Sequence, residues 1–474
     1  MQGNKAEMCL MIMDLSKVVI IGGAIALSVA VGFSQSAEPR KLSLKECEEL
    51  AFERHLQLKD ARLRLKAAEA KKIQASHAGI LPRLRFRNIW GPINKLEGVE
   101  TEDGVITSDR EEFESFSDMS FFTQFEINFV QPLYTFGKIS GLKDAAHFNV
   151  EVEEANIERK QRDVQTQVRE LYWGMLLGEE LLFVIKDAQK EVAKANEKIQ
   201  EKLDQGSEEV SRSDLFKLQI FSYEIDKQLR EIVAKSNLAK SSLALMLSLT
   251  KNQPVLLAEE YLEPVKIALD TIATYFELAG KKRAEILQLQ AGLKVGRSLI
   301  RSEKSEYYPQ FYLAGEAKYN YAKDRFDPKN PFLWNPTNYF RTGVIVGANL
   351  NMNFMQTKDK LRVAEIEFKR LAEKESFLAD GIRLEIEKAY AEVLQAETNM
   401  RGSRKAKRAS NSWLNSASMT FDIGVGEIKD LIEAHKAHSK MQSEHFLNIY
   451  AFNVAVAKLS KATGADLLAQ EIAQ

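Results

Sequence analysis

The ten prolines of this 474-residue chain constrain its fold more than any other feature. Proline removes a backbone donor and clashes with the preceding turn at a cost of about 3 kcal/mol in a helix interior, so proline-free stretches mark where long helices are allowed. The prolines stand at 39, 82, 92, 132, 254, 264, 309, 328, 331 and 336. They leave open 40–81, 133–253, 265–308 and 337–474, in the order short, long, short, long. That order predicts a tandem duplication with a period of roughly 220 residues. Weaker echoes agree with it. Pro82 matches Pro309, Tyr172 in RELYWGML matches Tyr390 in EKAYAEVL, and LSLTKN from Leu247 matches LSKATG from Leu459.

Within the first long stretch the apolar period is that of a coiled coil. Ile157, Val164, Leu171, Ile185, Val192 and Ile199 hold one heptad position, and Val168, Met175, Leu182 and Leu203 hold the other. A helix over 138–204 would be on the order of 100 Å long. Its partner over 208–250 has to run back beside it, because LDQGSEEV at 203–210 supplies the turn. The second half repeats the plan: a helix over 357–420, a turn at DIGVGE containing Gly424 and Gly426, and a return helix to 462.

After Pro309 the period changes from helical to alternating. Phe311, Leu313, Gly315, Ala317, Tyr319 and Tyr321 share one face of the predicted strand, opposite Gln310, Tyr312, Glu316 and Lys318. A second strand over 344–354, and two more around 83–87 and 124–129, behave alike. Four strands of about ten residues, apolar on one face and hydrophilic on the other, match a membrane barrel with lipid outside and water inside. Arg83, Arg85, Arg87, Glu126, Glu316 and Lys318 are then the candidates for the lumen, and replacing the arginines by glutamine should reverse any preference for anions. A soluble sheet packed on a helix is the bland alternative. Aromatic residues near the strand ends, among them Trp90, Tyr134, Tyr307 and Tyr339, favour the barrel. Four strands cannot close one, and open edges in lipid leave backbone groups unsatisfied, so several chains have to share it.

Composition bounds the rest. A formal net charge of -1 argues against a nucleic-acid partner. Lys17 precedes the apolar run VVIIGGAIALSVAVGF, and small residues follow around Ser36 and Ala37. This reads as an export signal over 1–37, with Met13 as an alternative start and a retained anchor as the alternative outcome. Its removal would take Cys9 and leave Cys47 alone, with no intrachain disulfide. No phosphate loop, nucleophile elbow or zinc-ligand pattern is present, so an enzyme is not expected, and no cofactor is implied. His438 and His445 share a helix face and His435 lies near, but they lack an adjacent set of ligands. The basic run RGSRKAKRAS at 401–410 reads as a solvated or inter-helix face.

Three segments carry a family resemblance that covers essentially everything after the signal. They are LSLKECEELAFERHLQLKDARLRLKAAEAKKIQASHAGILPRL, FVQPLYTFGKI and FDIGVGEIKDLIEAHKA. Taken together and in order, they resemble the TolC family of outer-membrane factors. The resemblance implies a mixed α and β fold: long antiparallel coiled-coil helices forming a periplasmic tunnel, plus four membrane strands per chain in a twelve-stranded barrel shared by a homotrimer. It also implies an exit duct in the outer membrane of a Gram-negative bacterium, surrounded by outer-membrane lipid. Such a duct serves an inner-membrane pump or secretion machine through a periplasmic adaptor (membrane fusion protein).

The repeats would span 38–252 (strand hairpin about 82–134, helical turn near Gly206) and 269–466 (strand hairpin about 309–355, helical turn near Gly424). A linker over 253–268 would join them, with a tail over 467–474. The acidic stretch from Glu97 and the Pro/Asn-rich stretch from Asp327 would be extracellular loops. By the same resemblance, Asp430 and Glu433 project into the pore at its periplasmic end, and Gly206, Gly424 and Gly426 shape turns that meet the adaptor. The alternative for Asp430 and Glu433 is a favourable acidic pair near a helix N-terminus. Gly206 precedes Asp214 by eight residues while Gly424 precedes Asp430 by six, so Asp214 departs from the pattern. Phe421 and Gly426 stand where some relatives join neighbouring hairpins through Tyr and Arg. The rival reading is an exported, water-soluble coiled-coil scaffold or adaptor.

Overall fold

The computed structural model describes residues 41–468 apart from 96–97, 101–105, 109–118, 206–209, 250–254, 324, 326–331, 333–334, 336 and 424. The export segment, Gly206, Gly424 and most of the two expected loops therefore lie outside the described residues.

Each half begins with a two-residue strand, β1 (Lys41–Leu42) and β6 (Leu256–Leu257), which pair in parallel with each other. The first half continues through α1 (Leu44–Arg54), α2 (Leu56–Ile80), β2 (Arg83–Asn94), a small antiparallel pair β3 (Gly98–Glu100) and β4 (Ile106–Ser108), β5 (Met119–Tyr134), α3 (Lys138–Asp204) and α4 (Arg212–Met246). The second half has α5 (Ile272–Lys282), α6 (Ala284–Lys304), β7 (Gln310–Ala322), β8 (Tyr339–Asn349), α7 (Phe354–Asp422) and α8 (Ile428–Thr463). The duplication is visible atom by atom. Buried Tyr172 donates its hydroxyl to the Leu42 carbonyl at 3.1 Å, and Tyr390 donates to the Asp270 carbonyl at 3.3 Å. Each acceptor lies two residues before the first helix of its half.

Each of the two short proline-free stretches holds two helices, α1 with α2 and α5 with α6. His55 (φ -61, ψ 130) and Arg283 (φ -71, ψ 118) adopt extended backbone between their flanking helices. One such residue ends each helix although neither is proline or glycine. Arg283 is held by Glu285, by Glu385 at 2.7 Å, and by the Lys461 and Ala462 carbonyls that end α8. The strand read as running to Phe354 stops at Asn349. Asn351 accepts from the Asn353 amide at 3.1 Å, a local bond that replaces the ladder just before α7 begins.

The four long strands form one antiparallel sheet in the order β2-β5-β7-β8. They run 12, 16, 13 and 11 residues; β2 and β5 extend well beyond the alternation read at 83–87 and 124–129, whereas β8 keeps its expected length and lies five residues earlier. Pro92 is tolerated because β2 is an edge of the sheet, and Pro132 sits at a register shift in β5. Phe136 (φ 49) and Gly137 (φ 104) then swing the chain from β5 into α3. The Phe136 ring stacks on Tyr308 and meets Tyr134 edge-on. Further along α3, a β-carbon at Gly141 would lie 2.7 Å from the Ser298 carbonyl oxygen, so glycine lets α3 and α6 approach closely.

Helix α3 is the spine: it packs against α1, α2, α4, α6 and α8, whereas α7 packs mainly on α6 and α8. One core, around Tyr172, Met175, Val393, Phe452 and Leu459, joins the middle of the long helices to α1 and α5. It is stapled by Arg169, whose guanidinium meets Glu48 at 2.6 Å and Asp466 at 2.7 and 2.9 Å, while Gln165 donates to both carboxylates. Cys47 is buried in this core, and its thiol is pushed up to about 12, first by burial and then by Glu259, Glu46 and Glu48. A second core lies at the far end of the helical hairpins, where Ile199, Val210, Leu218 and Phe221 meet Phe421, Ile428, Leu431 and Ile432. No described helix is long and apolar enough to cross a membrane.

Candidate functional site

Two surfaces carry the residues singled out from the sequence, one on the sheet and one at the tips of the helical hairpins. Directly opposed residues in antiparallel strands share a face, so register assigns each side chain. One face carries Leu84, Phe86, Trp90, Phe125, Phe129, Phe340 and Val346, of which Trp90 and Val346 are each 70% exposed. On the other face, Arg87, Glu126, Lys318 and Arg341 stand in a single row across all four strands. The next row is Arg85, Asn128, Glu316 and Gly343, and Arg83 follows opposite Val130. All six candidate lumen residues thus lie on one face. Arg341, on the same face, was missed, because it lies upstream of where the alternation was read to begin.

The carboxylates on this face are not isolated. Glu126 accepts from Asn128 and from Gln124 at 3.1 Å, with Arg87 at 3.9 Å. Glu316 accepts from Arg341 at 2.7 Å. Among the described residues no helix or second sheet lies over the apolar face, as the exposure of its large side chains shows. An exposed apolar sheet face of this extent fits hydrocarbon rather than water.

At the tips, α7 ends at Asp422, and the Val425 and Gly426 amides donate back to the Thr420 carbonyl at 3.1 and 2.9 Å. A β-carbon on Gly426 would lie 2.8 Å from the Phe421 nitrogen, so this position requires glycine for space. Helix α8 then sets Ile428, Leu431, Ile432 and Ala434 inward, which leaves Asp430 and Glu433 exposed on the opposite side. The structure does bring these two acids onto one face, and neither makes a side-chain hydrogen bond or ion pair among the described residues. The first tip is built differently. Ser211 and Asp214 form a reciprocal cap at the start of α4, and Lys217 adds an ion pair to Asp214 at 3.0 Å. Burial opposes the Asp214 charge, but these partners outweigh it and hold the carboxyl below its usual range.

At the second tip the structure shows a contact that the sequence reading does not contain. The Lys202 and Lys198 ammonium groups lie 4.9 and 5.9 Å from the Phe421 ring centre, and Lys198 pairs with Asp422 at 3.3 Å. Only the fold brings α3 and the end of α7 together, so no local motif could announce the contact.

The histidines find serine partners across the second helical hairpin. His445 Nδ1 lies 3.1 Å from the Ser403 hydroxyl and His438 Nδ1 lies 3.4 Å from that of Ser410. These are two rungs seven residues apart on each helix. Among the described residues, no group of three or more His, Cys, Asp or Glu is placed to hold a metal ion. In the basic run, Arg401 pairs with Glu397 and Lys407 lies over the Phe446 ring at 5.0 Å.

No protein-family profile matches the chain. The outer membrane protein TolC of Vibrio cholerae is 22% identical over 199 residues, 42% of this chain and 43% of TolC, so the match spans less than half of that relative's length. Solved structures agree over far more of the chain. The Campylobacter jejuni CmeC outer membrane channel superposes with a TM-score of 0.71 at 14% identity, over 91% of this chain and 88% of its own. The outer membrane protein VceC of Vibrio cholerae gives 0.69 at 15% identity, over 90% and 96%. With its duplicated order of elements, four-stranded sheet and paired long helices, the chain has the fold of the TolC family of outer-membrane channels.

Proposed function

We propose that this protein is one subunit of a trimeric channel in the outer membrane of a Gram-negative bacterium. It is the exit duct of a tripartite efflux pump or type I secretion system. Cargo enters from an inner-membrane transporter through a periplasmic adaptor, traverses the helical tunnel, and leaves through a barrel to which each chain gives four strands. The protein performs no chemistry on its cargo.

The observation that carries this reading is the sheet. Among the described residues it has two unpaired edges, β2 and β8, and an uncovered apolar face, and it is continuous with helices of 67 and 69 residues. Closed between copies, such a sheet satisfies every edge and turns its apolar face to lipid. Exposed apolar side chains along the helices support assembly as well: Phe216, Ile220 and Tyr223 on α4, and Phe377 and Leu384 on α7. A water-soluble scaffold would leave both surfaces in contact with solvent.

The test is the mass of the detergent-extracted protein, corrected for bound detergent, followed by conductance in a planar bilayer. Three chains and a stable pore are expected. A single chain that stays soluble without detergent would overturn the proposal.

A further inference from the structure

The register of the sheet assigns more than a lumen. On the polar face stand five cationic side chains, Arg83, Arg85, Arg87, Lys318 and Arg341, against two carboxylates, Glu126 and Glu316. The excess is three positive charges per chain. The charges are also unevenly compensated. Arg341 is engaged by Glu316 at 2.7 Å and Arg87 faces Glu126 at 3.9 Å. Arg83 and Arg85 have Val130 and Asn128 as their direct neighbours, and Lys318 stands between Glu126 and Arg341 in its row. A water-filled passage with low-dielectric walls focuses the field of such groups and concentrates ions of the opposite sign.

We infer that the barrel section selects for anions and that Arg83, Arg85 and Lys318 set this preference. The inference rests on the channel reading above and deepens it. It also gives the conduit two ends of opposite sign, since the exposed acids Asp430 and Glu433 lie at the hairpin tips. Each end acts on a passing ion separately, because a Debye length of about 8 Å is far shorter than helices on the order of 100 Å. The acidic face of the tips would mask the barrel in a measurement on the whole pore.

The experiment is therefore a reversal potential in a KCl gradient, made on the full-length channel in planar bilayers with Asp430→Asn and Glu433→Gln as the reference background. That background is expected to favour chloride over potassium on the order of threefold. Adding Arg83→Gln, Arg85→Gln and Lys318→Gln should bring the ratio to about one. Adding Glu126→Gln and Glu316→Gln instead should raise it above the background. The two arms move in opposite directions, so a set that fails to assemble leaves the other decisive. Reversal potentials that stay unchanged in a conducting pore would overturn the inference while leaving the channel standing. A wild-type protein that forms no pore would overturn both.

Discussion

The two helical hairpins descend from one plan and have diverged in what they do with it. In the first, α3 became internal: Val164, Val168, Tyr172 and Met175 are fully buried, and five other helices pack around it. In the second, α7 keeps one packed seam and turns Phe377 (80% exposed) and Leu384 (67% exposed) outward. The tips differ in the same sense. The first uses its acid, Asp214, to cap a helix, whereas the second leaves Asp430 and Glu433 free. The two long helices thus divide the roles: α3 holds the chain together, while α7, like the return helix α4, turns apolar side chains outward.

The largest effect should come from the staple on the first hairpin. Arg169→Met would leave Glu48 and Asp466 as uncompensated charges in a buried site, a loss of about 3–5 kcal/mol. Loss of folded, extractable protein is the expected readout. If Arg169→Met extracts and melts like wild type, the first hairpin is not the anchor described here.

Next is Gly426→Ala. With backbone 2.8 Å from the new methyl, overpacking costs about 1–3 kcal/mol. Faster amide exchange confined to 417–434 would place the damage at the second tip, and unchanged exchange would mean that the turn relaxes freely.

Exchanging the acids then separates the tips directly. Ser211→Ala, which breaks the reciprocal cap, should cost about 1 kcal/mol of stability and leave ion selectivity alone. Asp430→Asn with Glu433→Gln should do the reverse. Because Asp214 is held below its usual range, its contribution is complete above that range and fades as pH falls through it. A stability loss from the Asp430 and Glu433 pair would contradict the division of roles.

The smallest effect is a pH response of the second hairpin. Burial, reinforced by Lys407, lowers the pKa of both His438 and His445, and Arg404 adds to this at His445. The neutral rings are favoured in the folded state. Their contribution is therefore full above about pH 6.5 and declines as pH falls from there toward the folded-state values. Amide protection along α7 and α8 should drop in that window; burial lowers His435 on α8 as well, so substituting His435, His438 and His445 together by glutamine should remove the drop. A decline of equal size along α3 and α4 would deny that the rungs are its source.

Much of this was legible in the sequence because two signals were long. Proline spacing bounded the helices: α3 runs 138–204 as read, and the return helices fall within a few residues of expectation. Alternation found all four strands and put Arg83, Arg85, Arg87, Glu126, Glu316 and Lys318 on one face. What stayed hidden was decided by packing between distant segments. His55 and Arg283 break helices where no residue type demands it, and Arg283 does so while holding the end of α8, about 180 residues away. The Lys202 and Phe421 contact and the Ser and His rungs exist only once the hairpins fold. The asparagines before α7 were legible in principle, but strict alternation through Met352 and Phe354 concealed their turn.

The parity of the sheet has a consequence for symmetry. Its edge strands, β2 and β8, run in opposite directions because an even number of strands alternates between them. When β8 of one copy meets β2 of the next, the antiparallel pattern continues only if both copies point the same way. Joining like edges, β2 to β2, would invert one copy. The proposed closure is therefore head-to-tail and cyclic, with no two-fold axis across it. A ring of that kind has two unlike ends by construction, and polarity follows from counting strands before any pump is considered.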